Sequence, residues 1–159
     1  MGARLIRLFL CVFAGITLFA CHKALLSDNL TVANIHNDIV RNRTNVLKLE
    51  KLYGEPYKIV KDNKKVVEIF RYWNNYEGGV NSSLEGGTNY WQTVKFTSSS
   101  EKFDYTKLES YYEYRGKNLG VKSVYFFIRD NKVQSFRFNG SITNKSVAKK
   151  DKYLRQIID

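Results

Sequence analysis

The chain has 159 residues, with 26 Lys and Arg against 15 Asp and Glu, and a net charge of +11. With two cysteines and two histidines in the whole chain, a disulfide-dense scaffold is excluded. No cluster of metal ligands can be assembled along the sequence, and the residue that serves most often in acid–base catalysis is nearly absent. A chain of this length can bury one core as one domain.

Met1 to Cys21 reads MGARLIRLFLCVFAGITLFAC. Arg4 and Arg7 form a positive start, and Leu8 to Phe19 is an apolar stretch of 12 residues. A spanning helix needs about 20 apolar residues for a core of roughly 30 Å, so the stretch fits a secretory signal. The alternative is a short N-terminal membrane anchor. Leu18-Phe19-Ala20-Cys21 resembles the lipobox of bacterial lipoproteins. That resemblance implies cleavage before Cys21, a diacylglycerol on the Cys21 thiol and an acyl chain on the new amine, anchoring that is effectively permanent. It also implies a lipoprotein signal over residues 1–20 and a lipidated tether over 21–30. His22 stands where aspartate often marks inner-membrane retention, which favours the outer membrane. Cleavage would leave 24 basic residues against 15 acidic ones, a net +9, and no thiol beyond Cys21. Such a domain suits anionic surfaces: lipid headgroups, lipopolysaccharide phosphates or an acidic protein. Export argues against nucleic acid as the partner.

The apolar stripe Val32, Ile35, Ile39 predicts a helix over Thr31 to Val40. Arg41-Asn42-Arg43 interrupts it, and Thr44 is expected to cap a second helix over Asn45 to Tyr53. Val46, Leu49, Leu52 and Tyr53 make its apolar face, and Gly54 with Pro56, the single proline, ends it. Tyr57 to Lys61 and Val66 to Trp73 read as strands joined across Asp62-Asn63-Lys64. Ser123 to Arg129 and Val133 to Asn139 read as strands joined across Asp130-Asn131-Lys132. The two joints share a string, VKDNK and IRDNK, and Asp-Asn favours a tight turn. Between the hairpins, the paired glycines of residues 74–90 predict a mobile loop, and Trp91 to Thr97 a strand. Asp104 to Tyr114, with Tyr105, Tyr111, Tyr112 and Tyr114, fits a helix or a strand. Strand faces favour tyrosine; a sugar-stacking or protein-contact platform is the other reading. Ser146 to Ile158 reads as an amphipathic helix carrying Lys149, Lys150, Lys152 and Arg155, the candidate residues for an anionic surface. The sum is a single α+β domain over residues 31–159.

No convergent catalytic set is expected. A Ser-His-Asp triad would have to use His36, beside the apolar stripe of the first helix, where a structural histidine is the expectation. Glu109-Ser110 is similar to the catalytic pair of lytic transglycosylases, over two residues and in unsuitable surroundings. A carboxylate pair formed only in space stays open. The expectation is a protein that is not an enzyme, with no cofactor and no metal.

The segment RNRTNVLKLEKLYGEP, residues 41–56, is similar to the motif of the SmpA/OmlA lipoproteins, also called BamE-like. The resemblance runs over residues 35–73 and, more loosely, 115–139. It implies a short helix-turn-helix in which Thr44 opens the second helix, Val46 and Leu49 face the core, and Gly54 and Pro56 close it. VVEIFRYW, Val66 to Trp73, lies on the family's strand ending in an aromatic pair. Leu119 to Phe138 lies on its last hairpin. The stretch Asn74 to Arg115 exceeds what the family carries between strands. The fold implied is two N-terminal helices packed on an antiparallel sheet of three or four strands. The function implied is a non-catalytic binding or scaffold role at the outer membrane, in envelope or β-barrel assembly and maintenance. Its partners would be anionic lipid and outer-membrane assembly proteins. The alternative is a plasmid- or phage-encoded entry-exclusion lipoprotein. An inhibitor of lysozyme is disfavoured, because a domain of +9 repels a basic enzyme.

Overall fold

The computed structural model describes residues 28–75 and 104–158. Residues 1–27, with the expected signal and Cys21, lie outside the described residues. So do the glycine-rich stretch from residue 76 onward and the strand expected over Trp91 to Thr97. The described chain is α+β, and its centre is a four-stranded antiparallel sheet in the order β1-β2-β3-β4.

Leu30, placed in the tether by the sequence reading, is 2% exposed and belongs to the core. Helix α1, Val32–Asp38, opens at Thr31, whose Oγ accepts the Asn34 amide at 3.1 Å. Helix α2, Val46–Tyr53, opens at Asn45, not Thr44: the Asn45 side chain accepts the Lys48 amide at 2.8 Å. Thr44 is instead fully buried, and its hydroxyl oxygen accepts the Val40 amide at 3.0 Å. It closes the turn between the helices rather than opening the second. The Asn45 backbone is extended, which lets its amide oxygen reach the free helix donors.

Gly54 ends α2 with φ 77° and donates its amide to the Glu50 carbonyl at 2.8 Å. Only glycine takes that backbone without strain. Strand β1, Lys58–Val60, follows Pro56.

The next element departs from the sequence reading. Residues Asn63–Asn75 form helix α3, not a strand. Asp62 Oδ1 accepts the Lys65 amide at 3.3 Å, and the Asp62 carbonyl accepts the Val66 amide at 2.9 Å, so VKDNK starts a helix. Asn63 Nδ2 donates to the carbonyls of Thr106 and Leu108, at 3.0 and 2.7 Å, and pins the helix start to a distant turn. The aromatic pair that the family resemblance lays on a strand end therefore falls within a helix.

A 3-10 turn at Tyr105–Lys107 leads into β2, Ser110–Tyr114. Strands β3, Val121–Arg129, and β4, Lys132–Ile142, form the expected hairpin. Asp130 and Asn131 make its two-residue turn at φ 52° and 58°, the doubly positive φ of the favoured hairpin turns. A register shift sets Phe127 opposite Ser135 and Ile128 opposite Val133. Gln134 is the extra residue, so Val133 and Phe136 both reach the same core.

Apolar residues sit on both faces of the sheet. On one face, Val32, Ile35, Leu49 and Tyr53 of α1 and α2 pack with Tyr114, Phe126, Phe136 and Phe138. On the other, Val66 and Phe70 of α3 pack with Leu108, Tyr111, Tyr125 and Phe127. Full burial of one such side chain is worth about 1.5–3 kcal/mol. The two N-terminal helices cover one face of the sheet, as expected, and α3 adds a helix on the other.

Candidate functional site

The C-terminal segment holds the cations singled out from sequence. Helix α4, Lys145–Lys150, is capped by Asn144, whose side chain accepts the Ser146 and Val147 amides. It stops at Asp151, where a helix to Ile158 was expected, and a 3-10 turn at Leu154–Ile157 follows. Asp151 is the reason. One carboxylate oxygen accepts the amides of Tyr153 and Leu154, at 2.9 and 3.2 Å. The other accepts the Ala33 amide, at 3.0 Å, in the first turn of α1. A side chain that offers amides a better partner than the helix carbonyls breaks the helix locally. Negative charge at the start of α1 also matches its dipole.

Lys149, Lys150, Lys152 and Arg155 are all exposed around this pin. The Lys152 ammonium lies 4.7 Å from the centre of the Tyr153 ring. Ala148 and Leu154 are buried, so the segment is packed down and its cations point to water. The buried Asp151 is the one acid between Lys145 and Arg155. An acid inside a lysine run was the available sign of its role.

The remaining sequence-derived positions serve the fold. Val46 is half-buried against the first core, Leu49 is fully buried, and Gly54 and Pro56 follow α2. Cys21 lies outside the described residues. His36 is buried, its ring 4.4 Å from Tyr153 and 5.3 Å from Phe136 between centres. Glu109, just before β2, accepts the amide of the hairpin-turn residue Asp130 at 3.1 Å, and Ser110 is buried in β2.

Sequence reasoning missed a polar row on the face that α3 covers. Glu113, Tyr125 and Arg137 stand opposite one another on β2, β3 and β4, all under 9% exposed. Arg115 Nε donates to Glu113 at 2.7 Å and its guanidinium lies 3.6 Å from the Tyr57 ring centre. Arg137 donates to the Ser135 hydroxyl at 2.7 Å and the Phe136 carbonyl at 2.8 Å. Burial lowers the Arg137 pKa to about 10. Burial, and then the Glu113 charge, raise that of Tyr125. Among the described residues no three His, Cys, Asp or Glu side chains are placed to hold a metal ion. No helix of the described residues is long and apolar enough to cross a membrane. Compared with known protein families, with curated proteins and with solved structures, the chain matches none.

Proposed function

We propose that the chain is a lipid-anchored, non-catalytic binding domain of the bacterial outer membrane, BamE-like in fold, whose basic C-terminal segment faces anionic lipid. The observation that carries this reading is the bond from the Ala33 amide to Asp151. It ties the entry of the domain to the segment bearing Lys149, Lys150, Lys152 and Arg155. Cys21 lies twelve residues before Ala33. Fully extended, those residues reach roughly 40 Å at most, so a lipid on Cys21 keeps the cations close to the bilayer. Such cations act on an anionic surface within about one Debye length, 8–10 Å, a distance well inside the reach of that tether. The wider role is support of envelope or β-barrel assembly on the periplasmic face.

Residues 22–159 should bind vesicles containing phosphatidylglycerol and ignore pure phosphatidylcholine, and added salt should weaken the binding. Each lysine at the surface is worth about 1 kcal/mol. Changing Lys149, Lys150 and Lys152 together to Gln should therefore cost up to about a hundredfold in affinity. Binding that responds neither to salt nor to the triple change defeats the proposal. Crosslinking in envelope fractions should capture barrel-assembly components. Capture of a conjugation or phage entry protein alone would favour entry exclusion.

A further inference from the structure

Apart from the basic end, the described surface holds a second feature, at the sheet edge. Strand β1 pairs with β2 on one side, and among the described residues no backbone group pairs with its other side. Beside it, between β1 and α3, opens a cleft of about 520 Å³. Val60, Ile69, Tyr72 and Tyr111 give it apolar walls, and Lys58, Lys65 and Glu68 give it charge. Four large apolar side chains are exposed among the described residues, and three of them belong to β1, its approach or α3: Tyr57, Ile59 and Tyr72. Isolated exposed apolar groups mean little; such a concentration beside an open edge marks a contact surface.

We propose that the β1 edge and its cleft take an extended, acidic segment of a partner protein as a fifth strand. An edge left open among the described residues offers main-chain hydrogen bonds to an extended chain, and alternate side chains of that chain fall on one face. One of them would enter the cleft against Val60 and Ile69. Charge chooses the occupant. Lys58, Lys61, Lys64 and Lys65 are all exposed. Two acids stand with them: Asp62 pairs with Lys65 at 3.5 Å and Glu68 lines the cleft, so four cations face two carboxylates. A second copy would bring the same lysines against these lysines. Short, lysine-bearing edges are how sheets refuse one another. The charge that rejects a second copy favours carboxylates. This inference does not depend on the membrane-facing reading.

The probe is a fluorescent synthetic peptide, acetyl-Glu-Val-Asp-Phe-Glu-Val-Asp-amide, added to the full chain in nonionic detergent micelles. Two controls accompany it: the same peptide with lysine at every acidic position, and the acidic peptide N-methylated at alternate residues. The acidic peptide should raise anisotropy on binding, and hydrogen exchange should slow over residues 57–61. The lysine and N-methylated peptides should not bind. The exposed double change Lys58→Glu with Lys65→Glu should weaken the acidic peptide about tenfold, from two rim charges reversed, and admit the lysine peptide. Equal binding of the N-methylated peptide overturns strand addition. Protection confined to residues 145–155, or no binding of the acidic peptide, overturns the site.

Discussion

Replacing Asp151 by alanine tests how the C-terminal segment is held. The wild-type carboxylate is 8% exposed and accepts three amides, from Ala33, Tyr153 and Leu154, at 3.0, 2.9 and 3.2 Å. Each such bond contributes about 0.5–1.5 kcal/mol net, and an amide left without a partner costs more. Removing all three, with the charge at the start of α1, should cost about 2–4 kcal/mol. For a chain of this size that is a fall of roughly 10 °C in Tm. Asp151→Asn keeps an acceptor oxygen in place and should lose about half as much. Thermal unfolding of residues 22–159, followed by circular dichroism, reads both. An alanine variant melting within about 2 °C of the parent would show that these bonds do not hold the segment, and the link between the two ends of the domain would fall with them.

Gly54→Val puts a β-branched side chain at φ 77° and should cost about 1 kcal/mol or more; an unchanged urea midpoint would contradict the cap. Cys21→Ser should abolish incorporation of a palmitate analogue in a Gram-negative host and leave unprocessed precursor. A wild-type chain that takes up no acyl label would refute the lipoprotein reading. The Asp62 and Asp104 carboxyls lie below their ordinary value of 3.8. For Asp62 the main cause is the Lys65 amide, and for Asp104 it is the Thr106 hydroxyl. A lowered folded pKa gives stability that is complete above 3.8 and lost as pH falls through the folded value. Changing both to Asn should therefore flatten the acid limb of the Tm-against-pH curve, and a parallel limb would argue against these bonds.

Much of the first core was legible because its periods are clean. Val32, Ile35 and Ile39 sit at helical spacing, and all three are buried. Asp130-Asn131 between two apolar runs is a hairpin signal, and the hairpin is there. The same letters misled at Asp62-Asn63. There, Val66, Ile69 and Phe70 recur at three and four, with Lys64, Lys65, Glu68 and Arg71 around them, which is a helical period. The β-branched and aromatic content of Val66 to Trp73 outweighed it in the reading, but packing against Tyr111 and Phe127 decided the fold. Asp-Asn therefore means a turn only when both residues can take positive φ; at residue 62 the aspartate serves as a helix cap instead. The basic segment was legible as composition, while its anchoring was not, since the Asp151 bond spans 118 positions. The row Glu113, Tyr125 and Arg137 depends on strand register, which one sequence does not display.

The order of the strands also sets an order of assembly. β3 and β4 meet across a two-residue turn, and β2 reaches β3 through residues 115–120. β1 meets β2 only across a separation of roughly fifty residues, a closure that for a flexible chain of that length would cost about 3.5 kcal/mol. In return it gains three residue pairs on one side, with Lys58 and Ile59 still exposed. Contacts that close long loops form late, and those with little burial open first. The three-stranded meander with its first core is thus expected to persist longest, with β1 joining late and leaving early. Ordering it is a cost that any ligand of that edge must meet.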